Sequence, residues 1–357
     1  MKRRKRLLCL LLAAALSCGC AKVQESKTAA GETSEAAEKE TEETDGSATK
    51  ELFAMDTYMT LTANNGQAEE AVEAAAGEIE RIDALLSTGK EDSEISKLNR
   101  LKEGAVSEEV KTLVKASLAL YSETDGLFDI TIYPVMREWG FTDGNFRVPE
   151  KEELKPLLSN MGADKISLDE EKDMLTLGAD TEIDLGGIAK GYTSNRVMDI
   201  FKEYGVTSGV ISLGGNVQTL GSKTDGSKWR VAVQKPGQED SYAGVISVEN
   251  KAVITSGGYE RYFEEGGRRW HHIIDPRTGY PAESGLASVT VVSEDGTLAD
   301  GLSTSLFIMG KEEAVSFWRE SDSEFEVVLI DDEENIFVSE GLADSFSSDY
   351  EFSVIEK

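Results

Sequence analysis

The sequence predicts an α+β domain, with a largely antiparallel sheet and flanking helices. Three observations predict it. Apolar residues recur at helical spacing in 67–86 and 107–122. The segment 208–293 reads as short strands joined by Gly-rich turns. Helices bracket this run of strands instead of alternating with each strand, which argues against a doubly wound sheet.

Residues 52–63 read as the first strand. In 67–86, Val72, Ala75, Ile79, Ile82 and Leu86 share one helix face. Ser107 caps a helix running to about Ser122, with Val110, Leu113, Val114, Leu118 and Tyr121 inward. A short helix spans 149–160, and hairpin-like strands flank Asp169 and Glu170. A further helix follows Gly186 and Gly187 and ends before Gly205. Beyond the strand-rich segment, one helix runs from near Thr297 to Met309 and another over 311–320. Strands near 325–330 and 335–339 close the chain.

The N-terminus carries a separate signal. Lys2 to Arg6 are all basic, Leu7 to Leu16 are apolar, and Ser17-Cys18-Gly19-Cys20 follows. That order is a secretory signal, and its apolar run is too short to span a bilayer. A cysteine after a small residue at this exit resembles a bacterial lipobox, where a peptidase cuts and the thiol takes up lipid. Cys18 and Cys20 both qualify, and Cys20 is preferred. This gives a signal peptide over 1–19 and a protein lipid-anchored at the extracytoplasmic face of the cell membrane. The remaining cysteine, Cys9, lies in the apolar run, so the mature chain keeps no free thiol for a disulfide, a metal or nucleophilic catalysis. Residues 20–50 contain no aromatic residue and read as a disordered acidic tether. The folded domain is then 51–357.

Net charge is −30, and −35 once the five basic residues of 1–19 are removed. Such a surface disfavours nucleic acid and anionic lipid headgroups.

Several stretches could carry chemistry. In Asp184-Leu185-Gly186-Gly187-Ile188-Ala189-Lys190, glycines at a helix start let a phosphate approach free N–H groups, and Lys190 can reach the same anion. The plain alternative is a capped helix with close-packing glycines. In Thr297-Leu298-Ala299-Asp300-Gly301-Leu302-Ser303-Thr304, Asp300 and Thr304 share a helix face and suit Mg²⁺, which takes oxygen ligands. Thr297 with Asp300 also reads as a variant capping box. The only histidines, His271 and His272, precede Ile273-Ile274-Asp275-Pro276, and neighbours on a strand face opposite ways. At most one of them serves a given site as a base. Gly126-Leu127-Phe128-Asp129 is either a core segment or an exposed Phe beside a carboxylate that could hold a planar ring. Ser212-Leu213-Gly214-Gly215-Asn216 reads as a structural turn.

The order of these stretches is more specific than any of them alone. Met55-Asp56-Thr57, Asp92-Ser93-Glu94-Ile95-Ser96 with Asn99, Gly126 to Asp129, Asp184 to Gly191, Ser212 to Asn216, Thr255-Ser256-Gly257, His272 to Pro276 and Ala299 to Thr304 follow one another in one chain. This resembles the ApbE family, the FAD:protein FMN transferases, over nearly all of 51–350. The resemblance implies a T-fold-related, ApbE-like architecture. It also implies a reaction in which FAD is split at its pyrophosphate with Mg²⁺, FMN passes to a Thr or Ser hydroxyl of a target flavoprotein, and AMP leaves. The targets implied are FMN-bearing subunits of ion-pumping reductases or other extracytoplasmic flavoproteins.

Carried onto this sequence, the resemblance makes Asp300, Thr304 and the carbonyl of Gly187 the Mg²⁺ ligands. It assigns FAD contacts to Met55, Leu127, Phe128, Asp129, Asp184, Lys190 and Ile274. His272 is the candidate base for the incoming hydroxyl. Ser303 stands where many relatives have a second acid, and its hydroxyl is a further candidate ligand. Gly89 or Lys90 stands where many relatives carry an aromatic residue. Two other functions use the same site: hydrolysis of FAD to FMN and AMP, and flavin binding without turnover.

Overall fold

The computed structural model describes residues 46–238 and 240–357. The signal peptide, Cys20 and most of the 20–50 segment lie outside the described residues. Its centre is a nine-stranded sheet whose strands lie side by side in chain order. They are β1 (Ser47–Ala54), β2 (Thr57–Asn64), β3 (Ser208–Leu213), β4 (Asn216–Leu220), β5 (Ala252–Gly257), β6 (Leu286–Ser293), β7 (Glu326–Asp331), β8 (Ile336–Ser339) and β9 (Phe352–Ile355). Neighbours are antiparallel except for the last pair, β8 and β9.

The first strand differs from its expectation in two ways. Residues 52–63 form a hairpin, with Ala54 opposite Thr57 across a two-residue turn. The sheet also begins at Ser47, inside the segment read as tether. Ser47, Thr49, Glu51 and Phe53 face solvent along this edge strand. An edge strand needs little apolar sequence, so residues 47–50 gave no apolar signal. Both turn residues, Met55 and Asp56, have positive φ, 49° and 58°. A matching turn at Gly214 and Gly215, φ 63° and 96°, joins β3 to β4. Primed two-residue turns of this kind suit the twist of a hairpin. Antiparallel order places both turns, and the C-terminal end of β5, at one edge of the sheet.

The helices are α1 (Ala68–Leu86), α2 (Glu94–Leu101), α3 (Glu108–Glu123), α4 (Tyr133–Glu138), α5 (Lys151–Leu158), α6 (Gly186–Glu203), α7 (Gly296–Met309) and α8 (Lys311–Glu320). The expected faces of α1 and α3 pack inward, and Ser107 Oγ accepts the Val110 N–H. Leu118 and Tyr121 are only half-buried on α3, and Ser117 and Leu120 are buried instead. The short helices α2 and α4 carry too little periodic sequence to be predicted.

Strands β6 and β7 are buried on both faces. Val289, Val291, Val327 and Leu329 join the core around α7. Val292, Val328 and Ile330 face a smaller sheet built from 229–234, 242–248 and 346–347. Helix α7 is buried nearly all round, the pattern of a central helix.

Candidate active site

Helix α7 starts at Asp295, whose side chain accepts the Thr297 N–H at 2.8 Å. Asp300 is therefore not part of the cap. It lies one turn in, 6% exposed, where α7 crosses α6. The crossing depends on Gly191 and Gly296, since a Cβ on Gly191 would overlap the Gly296 carbonyl and lie 2.7 Å from Asp300 Cβ. At this separation the Gly191 N–H donates to Asp300 Oδ2 at 2.8 Å, and Asn216 Nδ2 donates to Oδ1 at 3.0 Å. Burial pushes the Asp300 carboxyl above its ordinary pKa, and the charge of Lys190 opposes the shift.

The ligand candidates divide. Thr304 is half-buried, with its hydroxyl 3.4 Å from Ser256 Oγ. Gly187 is exposed. Ser303 has no exposed surface, and its hydroxyl donates to the Asp300 carbonyl at 2.8 Å and meets Ser256 Oγ at 2.7 Å. It supports α7 from behind and is not open to the cleft. Among the described residues no group of three or more His, Cys, Asp or Glu side chains could hold a metal. The donors on offer are one carboxylate, one hydroxyl and one carbonyl. All are oxygens, which fits a hard cation that keeps water and phosphate in its remaining positions.

The start of α6 is partly occupied. Asp184 Oδ1 accepts the Gly186 N–H at 2.8 Å, and the Leu185 carbonyl accepts from Ile188 and Ala189. Among the described residues the Gly187 N–H has no acceptor and is free for an anion. Lys190 has no ion-pair partner within 4 Å among the described residues. Its charge is felt by Asp184, Glu260, His272 and Asp300. Burial pushes the Asp184 carboxyl up, while Arg261 and Lys190 pull it down.

The two histidines separate cleanly. His271 Nε2 contacts the Ala282 carbonyl at 3.1 Å, and Nδ1 accepts the Ile273 N–H at 3.3 Å. Both of its nitrogens are engaged. His272 Nδ1 lies 3.2 Å from the Arg261 carbonyl. A carbonyl can only accept, so Nδ1 carries the proton and Nε2 keeps a lone pair. Burial, and next the Arg261 charge, lower the His272 pKa to about 3. The ring is neutral at physiological pH, as a base must be.

The remaining candidates fall into two groups. Leu127 and Phe128 are 4% exposed and belong to the core around α7. A Cβ on Gly187 would lie 3.3 Å from the Phe128 ring, so Phe128 backs the ligand segment and offers no exposed stacking face. Ile274 is 5% exposed and packs in an aromatic cluster with Trp139 and Phe141. Met55 and Asp129 are half-buried at the surface. Met55 Sδ lies 4.0 Å from the Thr193 hydroxyl of α6. Asp129 Oδ1 accepts from the N–H and the hydroxyl of Thr131, and burial raises its pKa.

Sequence reasoning missed Asn216, Glu260 and Tyr133. Glu260 is an exposed residue whose carboxyl is held above its ordinary pKa by partial desolvation, with the Lys190 charge lowering it and the Asp300 charge raising it. Tyr133 lines a cavity of about 280 Å³ together with Thr88, Gly89, Ser96, Asn99 and Arg100. It is the aromatic side chain at the place where residues 88–90 supply none, and the Arg137 guanidinium lies 5.3 Å from its ring centroid. The cavity adjoins the 183–187 segment, because the Asn99 amide exchanges hydrogen bonds of 2.8 and 2.7 Å with the backbone of Ile183.

A family model described as the ApbE family matches residues 55–329. The FAD:protein FMN transferase of Haemophilus influenzae is 34% identical over 268 residues, which is 71% of this chain and 76% of the relative. That of Escherichia coli K12 is 32% identical over 246 residues, 66% of this chain and 70% of the relative. Among solved structures, the ApbE protein of Thermotoga maritima superposes with a TM-score of 0.79 at 33% identity, covering 84% of this chain and 99% of that one. The apo form of the Pseudomonas stutzeri flavinyl transferase ApbE gives 0.75 at 29% identity, covering 86% and 98%. With the family pattern matched across the sheet, the α6 start and the α7 carboxylate, the chain belongs to the ApbE family.

Proposed function

We propose that this protein is an FAD:protein FMN transferase that uses Mg²⁺, modifies a Thr or Ser hydroxyl of a target flavoprotein and releases AMP. Family membership supports the transferase activity. The observation that carries the chemistry is Lys190, with no ion-pair partner among the described residues and a charge felt by Asp184, Glu260, His272 and Asp300. An unpaired cation one turn into a helix from a glycine N–H without an acceptor suits a pyrophosphate.

Asp300, Thr304 and the Gly187 carbonyl are the residues that would hold Mg²⁺. When bound, the ion neutralises pyrophosphate charge and polarises phosphorus. Lys190 and the Gly187 N–H orient the phosphates. His272 Nε2 takes the proton of the acceptor hydroxyl. The hydroxyl oxygen forms its bond to the FMN phosphorus, the pyrophosphate P–O bond breaks, and AMP leaves with that electron pair.

The experiment combines the protein, FAD, Mg²⁺ and a candidate flavoprotein domain. Flavin fluorescence on the denatured target, with AMP released in equal amount, is the expected result. AMP without a labelled target would identify a hydrolase, and neither product would exclude both enzymes. Asp300→Ala abolishes turnover on this reading. An unchanged rate would remove Asp300 from the metal site.

Location is part of the same reading. Cys20 carries lipid at the extracytoplasmic face of the cell membrane, so the enzyme meets exported or membrane-bound flavoproteins. No helix among the described residues is long and apolar enough to cross a membrane. Cys20→Ser moves the protein from the membrane to the soluble fraction on this reading, and Cys18→Ser does not.

A further inference from the structure

We infer that Asn216 is a positioning residue that fixes the carboxylate of Asp300 for the cation. The inference rests on the reading of Asp300 as a metal ligand. Asn216 is 4% exposed and opens β4 directly after the Gly214-Gly215 turn. That turn is itself held in place, because a side chain on Gly214 would overlap Thr57 of β2. The strand start cannot shift without moving the neighbouring hairpin.

From this fixed point the Asn216 amide donates to Asp300 Oδ1, while the Gly191 N–H takes Oδ2. With one donor on each oxygen, the carboxyl group cannot turn about its Cβ–Cγ bond without losing both. Each oxygen keeps a lone pair free for a cation. Mg²⁺ demands near-ideal octahedral geometry, so a ligand held in one plane binds it more tightly than one free to rotate.

The same strand supplies an internal comparison. Gln218, two residues on, projects from the same face and is 5% exposed. Its amide pairs with Ser194 and donates to Asn195 Oδ1 at 3.0 Å, both on α6. It is an equally buried carboxamide bound to a helix, but it does not touch Asp300.

The test titrates Mg²⁺ alone into the FAD-free full-length protein by calorimetry. Asn216→Ala and Asn216→Ser, whose hydroxyl is too short to reach Asp300, are compared with native protein and Gln218→Ala. Thermal melts in EDTA report folding, and Asn216→Ser serves if Asn216→Ala does not fold. The expected result is an Mg²⁺ affinity about 10- to 100-fold lower in the Asn216 variants, with native affinity in Gln218→Ala. Transfer lost at low Mg²⁺ then returns when Mg²⁺ is raised. Equal affinity in Asn216→Ser and native protein, an equal loss in Gln218→Ala, or no Mg²⁺ binding by native protein overturns the inference. A protein that binds Mg²⁺ through these residues but labels no target counts against the transferase reading alone.

Discussion

The backbone of Gly191 lies against the Gly296 carbonyl, with no room for a Cβ on either residue. This contact sets the distance between α6 and α7, and so the hydrogen bond from Gly191 to Asp300. Gly191→Ala forces the helices apart. Overpacking of this kind costs about 1–3 kcal/mol. A melting curve should fall by several degrees, and Mg²⁺-dependent turnover should fall with it. A variant that melts like the native protein would show that the crossing is not tight.

His272→Gln should lower transfer by about 10²- to 10⁴-fold, the usual worth of a general base, with FAD affinity near native. His271→Gln should instead act on stability, because both ring nitrogens of His271 are engaged with backbone.

The partly buried, desolvated ring of His272 also predicts an acid sensitivity. Its folded pKa, about 3, lies below the ordinary 6.5. The unfolded chain therefore gains a proton between those values that the folded chain refuses, and stability falls as pH drops through that window. Between pH 7 and 4.5 the native protein should lose about 2–3 kcal/mol more than His272→Gln. Denaturant titrations at the two pH values measure the difference. Parallel loss in both proteins would contradict the burial of the ring.

The raised pKa of the Glu260 carboxyl predicts that FAD binding depends on pH near neutrality. Its pKa of about 7 means that it gains charge beside Lys190 as pH rises. A new negative charge there opposes an anionic pyrophosphate. FAD affinity, measured in EDTA by flavin fluorescence, should be higher at pH 6 than at pH 8. Glu260→Gln should flatten that dependence.

Tyr133→Ala removes the aromatic wall of the cavity beside Asn99 and Ile183. If a ring of the dinucleotide lodges there, FAD binds more weakly by about 10-fold or more, as a stacking contact is worth about 1–3 kcal/mol. Tyr133→Phe keeps the ring and should bind as the native protein does. Equal FAD affinity in all three proteins would place the dinucleotide elsewhere.

The long elements were legible because their patterns are redundant. Val72, Ala75, Ile79 and Ile82 repeat one face of α1 several times, so a single exception does not hide it. The family motifs were legible as an ordered set, and the charge of Lys190 acts on Asp184, His272 and Asp300. Asn216 was not legible. A carboxamide after two glycines is ordinary turn sequence, and its partner lies far along the chain at Asp300. Ser303 read as a possible ligand because it stands where many relatives have a second acid, and that correspondence does not give the depth of the side chain in the helix packing. Residues 47–50 were lost to the tether because an edge strand hides little from water.

The sequential order of the sheet also dictates an order of assembly. Hairpins β1/β2 and β3/β4 close over two-residue turns, a local event on the microsecond scale. The seam between them, where Met59 pairs with Leu213, has to wait until all of 65–207 is gathered in. Such long closures are slow because chain entropy is lost before any contact repays it. Asn216, Asp300 and Thr304 lie beyond that insertion and Gly187 and Gly191 lie in its last helix, next in sequence to β3, whereas Met55 lies before it. In a refolding experiment the cation site should therefore mature first, and the dinucleotide site should be complete only when the N-terminal hairpin docks.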